Sequence, residues 1–197
     1  MKIIKDYLTP NKYSRPQDTG KYKFIQFRGV ALHWYENAGQ GAQGAWDWFE
    51  SAPIRKRYGS AQYTVDDRSA VQLMPEDEMA YHVGATSYTP LAYERDLLPY
   101  PNCYLIGVEM SHPDWTGKPS PLTRHYTVGL LVDIFARHPE RDPMKDIYLH
   151  SQITGKISKR GFQCHRYYMD NPEEFLHLKT TVKERLIAHE EFGYDPK

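Results

Sequence analysis

The chain has 197 residues, with 25 Lys+Arg set against 25 Asp+Glu, a length that suits one domain with a real core. The balanced charge, with no Lys/Arg-rich stripe, excludes a phosphate-dominated nucleic-acid partner. No run approaches the roughly 18 apolar residues of a transmembrane helix, and the two cysteines, Cys103 and Cys164, are too few for a disulfide framework.

Met1 to Tyr7 has no apolar segment and no small-residue cleavage site, so it does not read as a secretory signal. The expected location at synthesis is the cytoplasm. Residues 8–21, rich in Pro, Asn, Ser, Gly and charge, close an irregular N-terminal arm spanning residues 1–21. Phe24 to Leu32 is a largely apolar run that suits a buried central strand delivering His33 at its end. Ala42 to Ser51 carries Trp46 and Phe49 at helical spacing. Ala61–Asp66 and Ala70–Met74 are β-rich runs joined by the turn signal Asp67-Arg68-Ser69. Leu105 to Met110 is a further strand.

Ser120-Pro121 opens the clearest helix, an N-cap residue followed by proline at the first position. Val128, Leu131, Ile134 and Phe135 line one face of it. Ile147-Tyr148-Leu149 is a short strand running into His150. The last helix starts at Asn171-Pro172-Glu173-Glu174, in the manner of a capping box, and buries Phe175, Leu178, Val182 and Leu186. Strands interleaved with helices predict an α/β domain: a central mixed sheet of about five or six strands flanked by helices. No internal repeat or second domain is visible, so residues 1–197 read as one catalytic domain with a core of about 22–187.

The 16 Tyr and 4 Trp furnish either an aromatic core and surface or a groove for sugar or peptide. Among nine histidines, His33 and His150 are set apart because each follows an apolar strand-like run. Cys164 lies fourteen residues beyond His150. Two imidazoles, one thiolate and one position left for water describe a catalytic zinc site, in which the ion lowers the pKa of its water toward about 7. Taken singly, any one histidine is more often a hydrogen-bonded or surface residue than a ligand.

Four stretches in order resemble the zinc-dependent N-acetylmuramoyl-L-alanine amidase type 2 family, which includes phage lysozyme-like endolysins and peptidoglycan-recognition proteins. Val30-Ala31-Leu32-His33-Trp34 is similar to the family's strand and first ligand. Ser60 to Asp67, continuing through Val71 to Pro75 and on to Ala80-Tyr81-His82-Val83-Gly84, is similar to its hairpin and "WHxG" segment. Ile106-Gly107-Val108-Glu109 is similar to its "IGIE" strand. Leu149-His150-Ser151-Gln152-Ile153-Thr154-Gly155-Lys156 followed by Cys164 is similar to the second ligand, the "TGK" turn and the third ligand.

The resemblance implies one Zn2+ per chain held by His33, His150 and Cys164. Glu109 is then the general base and Lys156 the cation facing the oxyanion. The implied activity is bacteriolytic cleavage of the bond between N-acetylmuramic acid and L-alanine of peptidoglycan, by a phage or prophage endolysin or a host autolysin, with a wall-binding domain as a separate partner. Trp34, Tyr35 and His82 are expected to contact substrate in an open groove at the sheet's edge. His82 reads equally as a structural hydrogen-bonder.

The pattern departs from the family in three places. The interval before Cys164 is longer than usual, so residues 157–163 read as an inserted loop, and Lys159 competes with Lys156. His165 stands where proline usually follows, which makes His165 and Asp170 rival ligands. Ala61-Gln62 replaces the aromatic and histidine that relatives often carry. Cys103 matches no motif and reads as a core or surface thiol. Two alternatives remain: a non-catalytic wall-binding relative, and a cysteine peptidase using Cys164.

Overall fold

The two faces of one strand set the architecture. In a computed structural model that describes residues 3–17, 23–158 and 160–192, the strand Gly29–Trp34 is buried along its whole length. Val30 and Leu32 point to one side; Gly29, Ala31 and His33 point to the other. This strand is β2 in a sequence of β1 (Ile3–Lys5), β2, α1 (Ala42–Glu50), α2 (Ala52–Arg55), β3 (Tyr63–Val65), β4 (Ala70–Gln72), α3 (Pro90–Glu94), β5 (Leu105–Met110), α4 (Pro121–Ala136), α5 (Pro143–Asp146), β6 (Ile147–Leu149), α6 (His150–Thr154), α7 (Arg166–Asp170) and α8 (Pro172–Phe192).

The strands form one six-stranded sheet in the order β1-β4-β3-β5-β2-β6. Only β3 and β4 pair antiparallel, as the hairpin closed by Asp66; the other four pairings are parallel. Asp66 Oδ1 accepts the backbone N–H groups of Arg68 and Ser69 at 2.9 Å, which fixes the turn. The expected α/β class and mixed sheet are therefore present.

The larger aliphatic side chains of the central strands face the two long helices. Val30, Leu32, Ile106, Val108, Met110, Ile147 and Leu149 pack with Val128, Leu131 and Phe135 of α4 and with Phe175, Leu178, Val182 and Leu186 of α8. Burying side chains of this size contributes roughly 1.5–3 kcal/mol each. Ser120 caps α4 by accepting the Thr123 N–H, with Pro121 at the first turn. The opposite face carries Ala31, Leu105 and Tyr148 beneath Val83, Ala92, Leu97 and Ile153. Small residues there, Gly29, Ala31 and Gly107, leave space for the loops that carry the site.

Two expectations need correction. β2 begins at Gly29 rather than Phe24, because Gly29 adopts φ +145° and the residues before it form a loop that seats Phe27 in the core. Ile3–Lys5 of the N-terminal arm is a strand, paired parallel to β4 at the sheet edge. As expected, the strand Ile147–Leu149 runs into His150, which opens the short helix α6. The last helix starts at Pro172 as expected, and Asn171 before it donates its side-chain N–H to the Tyr167 carbonyl, tying α8 back to α7. Residues 18–22 of the arm lie outside the described residues.

Gly29 is the backbone position the sheet tolerates least well as any other residue. A Cβ there would fall 2.2 Å from the Asp146 carbonyl oxygen, at a positive φ. Gly29→Ala should destabilise the protein by about 2–4 kcal/mol through strain and overpacking, read as a lower urea midpoint. Gly59→Ala, which meets nothing within 4 Å, should leave that midpoint nearly unchanged.

Candidate metal centre

His33 is the fifth residue of β2, and the parallel register sets it directly beside Glu109 of β5. Thr64 of β3 lies beside Glu109 in turn. Residues in register share a face, so these three side chains form one row across the sheet. β6 flanks β2 on its other side and ends at Leu149, which places His150 at the same end of the sheet. The site thus lies at the carboxyl ends of parallel strands, where α/β sheets commonly bind ligands. β6 is the outer strand, so the site reaches the sheet's edge.

Cys164 comes from the long loop after α6, and Ser151 holds it in place. The Ser151 hydroxyl accepts the Cys164 N–H at 2.7 Å and donates to the Lys156 carbonyl at 2.7 Å. The Ser151 N–H donates to the Cys164 carbonyl at 2.6 Å. One serine therefore pins both ends of the segment between Lys156 and Cys164.

His33, His150 and Cys164 each offer a ligand atom, and the three atoms lie within 4.8 Å of one another. His33 Nδ1 is 3.9 Å from Cys164 Sγ. His150 Nε2 is buried without a hydrogen-bond partner, a costly condition that coordination relieves. Two imidazoles and a thiol at this separation fit a metal of the zinc type.

The electrostatics agree with that fit. Burial, reinforced by His150, His82 and Lys156, holds His33 well below the ordinary histidine value. Burial also brings His150 down to about 3 and His82 to about 4. Neutral imidazoles are the ligating form. Burial and the Glu109 carboxylate raise the Cys164 thiol, so its thiolate needs a cation. The half-buried Glu109 carboxyl is pushed up to about 8 by burial, with Lys156 opposing.

A cavity of about 500 Å3 opens over these residues. It is lined by His33, His82, Glu109, His150, Lys156 and Cys164, and by Trp34 and Tyr35. Trp34 and Tyr35 are 4% and 5% exposed. Trp34 stacks on His112 and meets Trp115 and Phe162 edge-on. Tyr35 is packed near Glu109 and Thr64, where burial raises its hydroxyl. His82 is 8% exposed, with Nδ1 3.0 Å from His33 Nε2 and Nε2 2.9 Å from the Leu105 carbonyl.

The rival ligands are not part of the cluster. His165 is 1% exposed and stacks near Tyr168, while Asp170 pairs with Arg166 at 3.7 Å on the surface. Lys159, the competitor of Lys156, lies outside the described residues, as do Gly193 to Lys197. Gln62 is buried in the hairpin, accepting the Gly107 N–H at 2.7 Å and donating to the Glu78 carbonyl. Cys103 is a buried free thiol in a turn after Pro101, and Cys164 is likewise unbridged.

Sequence reasoning missed Ser151 as a clip, and it missed Trp48 and Tyr58 in the cavity wall. These two rings are 53% and 64% exposed. The position of Ser151 directly after a candidate ligand was the available signal. Nothing local in the sequence marks Tyr58.

Comparison with known proteins places the chain in a family. The sequence pattern of the Amidase_2 family, described as N-acetylmuramoyl-L-alanine amidase, matches residues 23–161. A probable N-acetylmuramoyl-L-alanine amidase of Bacillus licheniformis is 32% identical over 148 residues, covering 70% of this chain and 40% of its own length. The N-acetylmuramoyl-L-alanine amidase BlyA of Bacillus subtilis (strain 168) is 28% identical over 198 residues, covering 91% of this chain and 46% of its own length. The chain thus spans less than half of these relatives. Among solved structures, the PlyG catalytic domain superposes with a TM-score of 0.69 at 18% identity, covering 95% of this chain and 96% of that one. The catalytic domain of XlyA gives 0.66 at 19% identity, covering 92% and 99%; these two likenesses speak to the fold. With the family pattern matched over residues 23–161, most of the chain, the chain belongs to the N-acetylmuramoyl-L-alanine amidase family, Amidase_2.

Proposed function

We propose that this chain is a zinc-dependent amidase that hydrolyses the bond between the lactyl group of N-acetylmuramic acid and L-alanine in peptidoglycan. The observation that carries the proposal is the convergence of His33, His150 and Cys164 within 4.8 Å, beside Glu109, at the floor of an open groove. Residues 1–197 act as the catalytic unit. The resemblance in fold to a solved endolysin from Bacillus subtilis favours an endolysin that acts on the wall after release. Among the described residues, no helix is long and apolar enough to cross a membrane.

His33, His150 and Cys164 would hold the ion. Bound zinc supplies a Lewis acid and lowers the pKa of water. Glu109, in its carboxylate form, takes the proton of the attacking water and returns it to the leaving nitrogen of L-alanine. Lys156 lines the cavity and interacts electrostatically with Glu109, His33 and His150. Its ammonium stabilises the negative charge that develops on the carbonyl oxygen. The exposed rings of Trp48 and Tyr58 offer apolar faces to sugar or peptide along the wall. Trp34 and Tyr35 act mainly by supporting the floor.

A cysteine peptidase is disfavoured. A nucleophilic thiol needs a depressed pKa, whereas burial and Glu109 push Cys164 upward. A non-catalytic relative is disfavoured by the retention of all three donors together with Glu109.

The purified protein should release free α-amino groups from peptidoglycan without new reducing ends. Chelation should stop the reaction and Zn2+ should restore it. Amine release that persists in chelator would overturn the metal-dependent reading.

Glu109→Gln should retain metal and lose turnover by about 100-fold or more. The same variant has a stability signature. In the metal-free protein Glu109 keeps its proton to about pH 8, while an unfolded glutamate releases it near 4.3, at roughly its reference value. The folded state then binds more protons between these values and loses stability as pH rises through them. Metal-free Glu109→Gln should therefore melt higher than wild type at pH 8, and the difference should close toward pH 4.

The histidines act in the opposite sense. His33, His82 and His150 titrate below their unfolded value. The metal-free protein should accordingly lose stability as pH falls below about 6.5. Added Zn2+ should shift the acid transition to lower pH, as followed by circular dichroism.

A further inference from the structure

We infer that His82 is a positioning residue that selects which nitrogen of His33 faces the metal; this rests on the metal-site reading above. The Leu105 carbonyl can only accept a hydrogen bond, and it lies 2.9 Å from His82 Nε2. That nitrogen therefore carries hydrogen. A neutral imidazole has one N–H, so His82 Nδ1 is a bare acceptor. His33 Nε2, 3.0 Å away, must then donate to it. The proton of His33 is thereby fixed on Nε2, and its lone pair on Nδ1, the atom 3.9 Å from Cys164 Sγ. A backbone carbonyl at the start of β5 thus sets the tautomer of a ligand on β2, with one imidazole between them.

The seat of His82 is built for this purpose. A Cβ at Gly107 would fall 2.7 Å from His82 Cγ, so the ring fits only because β5 carries no side chain there. The backbone N–H groups of His82 and Val83 both donate to Asn102 Oδ1, at 3.1 and 2.8 Å, which fixes the loop. The ring is 8% exposed and both its nitrogens are engaged. These contacts explain why a histidine at 82 and a glycine at 107, far apart in sequence, belong to one device. Partners of this kind hold a ligating imidazole in orientation, and their loss typically costs 10–100-fold in metal affinity.

The test is Zn2+ affinity by competition with a chromophoric chelator, together with the Co2+ absorption spectrum, for wild type, His82→Ala and His82→Gln. The glutamine amide can accept from His33 and donate to Leu105. We expect His82→Ala to bind Zn2+ about 10–100-fold more weakly, and His82→Gln to recover most of that loss with a near wild-type Co2+ spectrum. Wild-type affinity in His82→Ala, or equal weakening in two folded variants, would overturn the inference. Nitrogen-15 NMR of the histidine rings in the metal-free wild type gives a second readout that needs no variant. Hydrogen on Nε2 of both His33 and His82 supports the relay, and hydrogen on His33 Nδ1 overturns it. A wild-type chain that binds no Zn2+ would defeat the metal site itself, while the NMR tautomers would still decide the relay.

Discussion

The parallel pairing of β2 between β5 and β6 is the constraint on which the site depends. Its register sets His33 against Glu109 and delivers His150 one residue beyond the end of β6. Side chains in register on parallel strands share a face, so three groups distant in sequence meet without any loop having to search for them. The same pairing sends the bulky aliphatic residues of these strands to the other face, against α4 and α8. Packing and chemistry are thus divided between two sides of one sheet. The helix side supplies the rigidity, and the side with small residues supplies the room.

That room is electrostatically uncomfortable. Buried imidazoles are held neutral, a carboxyl is pushed up to about 8 and a thiol is raised. Each shift is mainly the cost of moving charge out of water. A divalent cation relieves all three kinds of discomfort together: it coordinates the imidazole lone pairs, stabilises the thiolate and favours the carboxylate. The site is therefore poorly satisfied by protein alone, as functional sites often are.

Much of this was legible in the sequence because short strands carry strong signals. Leu105–Met110 and Ile147–Leu149 are strands with the expected bounds, and the cap and apolar face of α4 read directly from Ser120-Pro121 and the residues after it. His33, His150 and Cys164 were recognisable from order and context. The start of β2 was not, because the apolar run from Phe24 conceals the break that Gly29 introduces. β1 was missed because three residues at a sheet edge leave little periodicity. His82 was left between two roles, since its partners are a carbonyl and an imidazole brought close only by the fold. The Ser151 contacts involve main-chain atoms of Lys156 and Cys164, and no residue type announces those.

The Ser151 clip has a mechanical consequence. A single hydroxyl fastens Lys156 on one side and Cys164 on the other, so the ends of the stretch between them are held independently of its length. Loop closure grows costlier only slowly with added residues, so extra length there need not displace the sulfur. A loop fastened in this way brings Phe162 to the rim of the groove while the sulfur keeps its place.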